Sequence, residues 1–386
     1  MSLAPSRRPW RSSGLMLAWA LALLSAGSAE AQQTASGLFG TGPYFQGYSL
    51  HQDLGIEAAN LLMLPVAYEF GARERIRVDL YGAWARGQVE SRGEVYQLSG
   101  LVDTRVRARI RARPWALVTL SANLPTGKSS HTGEEAVVAS ALASEMLGFR
   151  EANWGMGTSV TSGLAGAWNV NGWGIGLGTS YRVSGDFRPE AGSDLVYGPG
   201  DELRFRFALD RNVGETGKVI LGATFQRFAS DEIDGRNLFQ AGNRIRADAV
   251  YSFGMGRTTW TTYGANLWRA RGDATLDIVG PDGQVVGDTT FHVGTQNVLV
   301  LGANGSVPLT GTYRVRPTFE LRVQDREAGP GSGWLMGAGG DFPLRLMARY
   351  DVFPRAIVRL GEMEGPEGVR RRVWGGDLGL TVRWRP

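Results

Sequence analysis

From residue 102 to residue 113 apolar and charged positions alternate strictly. Val102, Thr104, Val106, Ala108, Ile110 and Ala112 fall on one side; Asp103, Arg105, Arg107, Arg109, Arg111 and Arg113 fall on the other. A period of two belongs to a β-strand, whose successive side chains point to opposite faces, whereas a helix would spread the arginines around its axis. The pattern returns along the chain. Ile76, Val78, Leu80 and Trp84 oppose Arg75, Arg77, Asp79 and Tyr81, and Leu203, Phe205, Phe207 and Leu209 oppose Glu202, Arg204, Arg206 and Asp210. Ile245, Ala247, Ala249, Tyr251 and Phe253 oppose Arg244, Arg246, Asp248 and Ser252, and Tyr313, Val315, Phe319 and Leu321 oppose Arg314, Arg316, Glu320 and Arg322. Val352, Ala356, Val358 and Leu360 oppose Asp351, Arg355 and Arg359. Residues 155–168 and 333–344 are Gly-rich, and 258–269 are ambiguous in phase.

Two kinds of connection separate these runs and take turns. Short ones fall near residues 71–74, 112–115, 170–172, 213–217, 255–258, 309–312 and 344–348. Longer polar ones fall near 87–100, 126–152, 186–200, 230–243, 271–293, 325–333 and 362–369. Short periplasmic turns alternating with longer external loops mark a transmembrane barrel. A charge on the lipid face at mid-bilayer costs roughly 2–4 kcal/mol, so the arginine rows belong on the lumen side. An open sheet edge cannot satisfy its backbone groups in hydrocarbon, which forces closure. The expected fold is therefore all-β: an antiparallel up-and-down transmembrane β-barrel of about 14–16 strands, the count turning on whether residues 44–52 form a strand. A strand there would put both termini on the periplasmic side.

Residues 1–31 read as a cleaved signal peptide: Arg7, Arg8 and Arg11 precede a short apolar stretch, Leu15 to Leu24, and Ala29-Glu30-Ala31 supplies an A-x-A cleavage signature. That stretch falls short of the about 20 apolar residues a membrane helix needs. Residues 32–386 are then the barrel. Cysteine is absent, which removes disulfides, a thiol nucleophile and a lipid-modified cysteine from consideration. The net charge of +4 drops to +2 once three arginines and Glu30 leave with the leader. The basicity is carried by arginine, Lys128 and Lys218 being the only lysines, and no cluster of basic and aromatic residues suggests nucleic-acid binding. Leu378, Leu380, Val382 and Trp384 form a final alternating row ending in an aromatic, which resembles the signal read by barrel-assembly machinery; Arg385 and Pro386 follow it.

The longest insert carries the first candidate site. Thr132 and Glu135 make a capping-box pair, Val138, Ala141, Leu142 and Met146 then share a helical face, and Gly148 is placed to cap the helix C-terminus. A short helix over 132–148 could gate the barrel mouth or simply cover it. The second candidate is the inward basic lining: Arg75, Arg77, Arg105, Arg107, Arg109, Arg111, Arg204, Arg206, Arg244, Arg246, Arg314, Arg316, Arg322, Arg355 and Arg359. Rings of such charge set pore preference for anions. The alternative is a sealed interior in which they pair with Asp79, Asp103, Glu202, Asp210, Asp248, Glu320, Asp351 and Asp377. Enzyme chemistry is thinly represented. His51, His131 and His292 lack metal-ligand spacing, and Ser129-Ser130-His131 has no acid implied to orient it. Asp273, Asp277, Asp282 and Asp288 could form a calcium site, yet a hairpin turned by Pro281-Asp282-Gly283 explains them equally.

Leu64-Pro65-Val66-Ala67-Tyr68-Glu69-Phe70-Gly71, leading into Arg73-Glu74-Arg75-Ile76-Arg77-Val78, stands before a strand opened by Asp103 that returns through Leu120 to Leu124-Pro125-Thr126-Gly127-Lys128. Over residues 60–130 these segments resemble the phenol-degradation meta-pathway outer-membrane transporters, a group discussed with the FadL-like channels. The resemblance implies passive uptake of small hydrophobic or aromatic molecules, while the charged inner face departs from it. The expected protein is a monomeric, non-enzymatic barrel of the bacterial outer membrane, without metal or cofactor, whose partners are outer-membrane lipid, the assembly machinery and a small-molecule solute. It would act as a passive channel. The alternative is a non-conducting structural or surface-interaction barrel with an ion-paired interior.

Overall fold

The computed structural model describes residues 38–72, 75–151, 154–279, 285–310, 313–327, 331–347 and 349–384. The expected leader, the expected turn at Pro281-Asp282-Gly283 and Arg385-Pro386 lie outside them. The sheet closes on itself with sixteen strand passages. β1 comes in two pieces, Leu38–Thr41 and Tyr44–Ser49, interrupted at Gly42-Pro43, and both pieces pair with the last strand and with β2. β2 (Ala58–Ala72) and β3 (Ile76–Ser91) follow. β4 is split into Glu94–Leu101 and Thr104–Arg113, each piece pairing with β3. Next come β5 (Ala116–Leu124), β6 (Ser159–Val170), β7 (Trp173–Ser184), β8 (Glu202–Val213), β9 (Gly217–Phe228), β10 (Arg244–Met255), β11 (Thr258–Arg269), β12 (Gln296–Thr310) and β13 (Tyr313–Arg326). β14 is again split, Gly333–Asp341 and Leu344–Met347, before β15 (Tyr350–Glu364) and β16 (Arg370–Trp384). Residues 44–49 are thus a wall strand, and the count is the even one.

Alternation places one row per strand outward. Val66, Phe205, Phe319, Val358 and Leu378 are among the exposed apolar side chains of that surface, Leu378 at 60 %. Outward tryptophans sit near both rims: Trp115, Trp168, Trp173, Trp260 and Trp384 toward the short-turn end, Trp84, Trp268, Trp334 and Trp374 toward the long-loop end. An apolar band between two aromatic girdles is the surface a bilayer covers. No helix among the described residues is long and apolar enough to cross a membrane. This is a barrel of the bacterial outer membrane.

Four expected loops are structured. Residues 87–100 form a hairpin of paired strands that turns at Arg92-Gly93, both with positive φ. There the polarity reverses. Arg86, Gln88 and Glu90 point outward, with Arg86 donating to Gln97 Oε1 at 2.8 Å, while Ala85, Val89 and Leu98 point inward and are buried. Beyond the girdle the outer face meets water, so polar residues there belong to a strand that has left the bilayer. The longer loops also pair with one another. Tyr197–Gly198, Asp231–Ile233, Arg236–Gln240, Gly272–Val279 and Val285–Val293 build a five-stranded sheet outside the barrel.

Candidate functional site

The loop between β5 and β6, hereafter L3, folds into the lumen. Its helix α1 runs Gly133–Leu142, with Thr132 accepting from the Glu135 amide and the Glu135 carboxylate reaching back to the Thr132 amide. Val138, Ala141 and Leu142 are buried against the inner faces of β2, β3 and the outer piece of β4, in a cluster with Ala59, Leu61, Met63, Ala85, Val89, Leu98 and Trp154. Gly87 makes room for it: a β-carbon there would stand 2.6 Å from Leu142 Cδ1 and 2.9 Å from Val138 Cγ1. Gly87→Val is expected to overpack this contact at a cost of about 1–3 kcal/mol. The loss should show in chemical denaturation of the barrel in detergent; a variant as stable as the parent would mean that α1 is not seated here.

The helix is shorter than its sequence suggested. Ala143 is the C-cap, and Gly148, expected in that role, lies beyond the end with φ +57°. The cause is a competing donor. Arg322 on β13 donates to the carbonyls of Glu145 (3.1 Å) and Met146 (3.2 Å), drawing that segment toward the opposite wall. Gly148 packs so close to this guanidinium that a β-carbon would strike it. L3 then passes over β1, where Tyr48 donates to Leu147 O (2.7 Å) and Gln46, buried to 1 % exposure, donates to Gly148 O (3.2 Å) and accepts from the Arg150 amide (3.1 Å). It returns through Glu151, which meets Arg105 at 3.2 Å. Met146 is buried in this crossing and not on the helix.

Both stems of L3 are held by one carboxylate. Asp103, between the two pieces of β4, accepts from the Gly127 amide (2.9 Å) with Oδ1 and from the Met156 amide (2.8 Å) and Asn123 Nδ2 (2.7 Å) with Oδ2. Its own amide donates to Trp154 O at 2.9 Å. The sequence presented Asp103 only as one inward acid in an arginine row, and the split in β4 gave no local sign of the loop it holds.

The basic residues divide into two populations. Around β2–β4 and β13–β16 most are paired: Arg77 with Glu69 (3.0 Å), Arg107 and Arg109 with Asp79 (2.9 Å each), Arg322 with Glu320 (3.2 Å), Arg355 with Asp341 (3.2 Å) and Arg359 with buried Asp377. Arg314 donates to Ser306 (3.1 Å) and Arg316 lies over Phe353. Arg75 sits in the turn before β3 and not in the wall. On the arc facing L3, cross-strand register stacks two rungs: Arg204, Gln226, Arg244 and Arg269 in one, Arg206, Thr224, Arg246 and Leu267 in the other. Acids are fewer there. Glu202 serves both Arg182 and Arg204, Glu145 of L3 meets Arg269 at 3.1 Å, and Asp248 stands 3.9 Å from Arg246. Between L3 and β10–β13 remains a cavity of about 510 Å³, bordered by Leu142, Phe149, Arg246, Tyr263, Leu267 and Val298.

The histidines do not converge. His51 caps a 3₁₀ turn at Gln52–Leu54, and His292 meets Asp273 at 2.7 Å across the external hairpin. Among the described residues no group of three potential ligands could hold a metal, and Asp277 and Asp288 are simply opposite one another in that hairpin. His131 joins L3 to the loop after β7: its amide donates to Pro189 O and its carbonyl accepts from the Ala191 amide, both at 2.9 Å. Burial, aided by Lys128 and opposed by Glu135, holds the imidazole below its ordinary 6.5. The fold therefore favours the neutral ring, and the unfolded chain binds the extra proton between the depressed value and 6.5. The contribution of this seam is whole above about pH 6.5 and falls as pH drops through that window. Thermal unfolding at pH 7.5 and 5.5 should show the wild type losing ground against His131→Gln at the lower pH; a gap independent of pH would contradict it.

No family model matches the chain, and no curated protein matches it. Solved structures do. A loop L8 deletion mutant of OmpT, an outer membrane protein of Vibrio cholerae, is 8 % identical with a TM-score of 0.40, covering 91 % of this chain and 100 % of its own. An anion-selective porin from Comamonas acidovorans is 12 % identical with a TM-score of 0.42 and the same coverage of both chains. An outer membrane channel from Pseudomonas putida F1 is 11 % identical at 0.38, covering 94 % and 100 %.

Proposed function

We propose that this protein is a passive outer-membrane channel that favours small anions. The observation that carries the reading is the asymmetry of the lumen. L3 fills the side lined by β13–β16 and β1–β4, where Arg77, Arg105, Arg107, Arg109, Arg322, Arg355 and Arg359 are matched with acids. The arc of β7–β11 stacks two arginine rungs across adjacent strands, served by Glu202, by Glu145 of L3 and, at 3.9 Å, by Asp248. A charged row on one wall of a narrowed passage raises the local concentration of counter-ions and lowers their barrier to transit. L3 sets the width and the rungs set the sign, with no covalent step, metal or cofactor involved. A sealed, ion-paired interior would instead use its acids on both sides alike. The apolar uptake implied by the resemblance to phenol-pathway transporters would need a lining without these rungs.

The refolded barrel in a planar bilayer under a salt gradient is expected to give a reversal potential on the anion side. Arg204→Gln with Arg244→Gln should move it toward zero. Absence of any steady conductance, or cation preference, would sink the reading.

A further inference from the structure

The second rung changes character at its end. Inward positions of β11 and β12 that neighbour Arg246 are apolar: Leu267 faces Val298 and Ala265 faces Val300 across the strand pair. Val298 is 4 % exposed, and on the other side of the cavity stand Leu142 and Phe149 of L3, both buried. Outward neighbours on β12, Leu299 and Leu301, are apolar as lipid contact requires, so residues 298–301 of this strand are apolar on both faces. Val298 packs under L3, but Leu267 and Val300 keep part of their surface on the cavity, and passage of hydrated inorganic ions gives no reason for apolar side chains there, where each exposed Å² is unfavourable by about 25 cal/mol.

Two cations adjoin this strip, and one of them, Arg322 opposite Val300, is taken up by Glu320 and by the Glu145 and Met146 carbonyls, which leaves Arg246. The Arg246 side chain is 57 % exposed, and its Nε is 3.9 Å from Asp248, the limit of an ion pair. Neighbouring charges are already engaged: Glu145 with Arg269, and Glu320 with Arg322 and with the Tyr263 hydroxyl (3.2 Å). A guanidinium with room for a carboxylate, set beside a slot of aliphatic and aromatic side chains, matches a solute with one anionic end and one apolar body. The volume of about 510 Å³ suits a small-molecule ligand.

We infer that the cavity between L3 and β10–β12 is a transit site for amphipathic organic monoanions, aromatic or short aliphatic carboxylates whose carboxylate meets Arg246 and whose body lies against Leu267, Val298, Val300 and Phe149. The inference rests on the channel reading and narrows its solute class.

The test uses benzoate, acetate and benzyl alcohol, which separate charge from apolar body. Added to the full-length refolded barrel carrying a chloride current, benzoate should interrupt the current at about one-tenth the concentration that acetate requires, the difference coming from burial of one ring. Benzyl alcohol should interrupt it least. Arg246→Gln should raise the benzoate concentration needed, and Leu267→Ser should shrink the benzoate-to-acetate ratio toward one. Equal action of benzoate and acetate, or of benzoate and benzyl alcohol, would overturn the inference while leaving the channel reading in place. A barrel without chloride current would instead refute the channel reading. Calorimetric titration of benzoate into the detergent-solubilised barrel then decides the site by itself, with tighter binding than acetate and sensitivity to Arg246→Gln expected, and equal binding overturning it.

Discussion

Asp377→Ala is expected to be the most damaging single substitution in the wall, lowering stability by about 3–5 kcal/mol, because it strands a buried guanidinium. Asp377 is 1 % exposed on β16, and its Oδ1 takes the Nη1 of Arg359 on β15, itself buried. Tyr44, Gln46 and Tyr48 of β1 close over the pair, with Gln46 directly opposite Asp377 in register. An arginine in water would keep its hydration when the acid is removed; this one has L3 and the first strand above it. The double change Arg359→Met with Asp377→Leu should recover much of the loss, since replacing both charges removes the desolvation penalty together with the attraction. Urea titration in detergent micelles, followed by tryptophan fluorescence, reads both. A single variant within about 0.5 kcal/mol of wild type, the scatter of ordinary surface changes, would show that water reaches the pair. The pair also matters for permeation: an arginine committed to a buried acid contributes little field to a passing ion, so Arg359 belongs to the frame and the rungs of β8 and β10 to the passage.

The barrel was legible where a strand has lipid on one side and water on the other, since two different solvents write two different rows. The arginine stripe from Arg105 to Arg113 is the clearest case. Legibility failed where that condition fails. Above the outer girdle β3 has water outside and L3 inside, so Gln88 and Glu90 point out while Val89 points in, and the stretch read as a polar loop. β11 has Trp260 and Trp268 outward but also Tyr263, Ala265 and Leu267 inward, so its phase was ambiguous because both faces meet apolar matter. The start of α1 was written locally in Thr132 and Glu135. Its end was not, being fixed by Arg322, more than 170 residues away in the chain. The same holds for the site as a whole. Asp103, Gln46, Tyr48 and Arg322 come from three separate strands and share no sequence pattern, only a common loop to hold.

Removing that loop should change the passage more than any wall substitution. L3 runs from β13 over β1 to β4, about half of the circumference, so replacing residues 129–155 with a short Gly-Ser linker should raise single-channel conductance by about twofold or more. Anion preference should survive but weaken, because the rungs on β8 and β10 stay while the lumen around them widens and fills with screening electrolyte. The excision also uncovers Leu61, Met63, Val89 and Leu98 to water, which threatens folding. Asp103→Ala offers a gentler route to the same end. It leaves α1 and its apolar seat intact but takes the acceptor from the Gly127 and Met156 amides, a loss of about 1–3 kcal/mol for each buried group left unpaired. With both stems released, L3 should leave the lumen part of the time, and the trace should show a larger sublevel alternating with the parent one. A single level at the parent conductance in both variants would mean that L3 does not bound the passage, and that the width is set by the barrel wall alone.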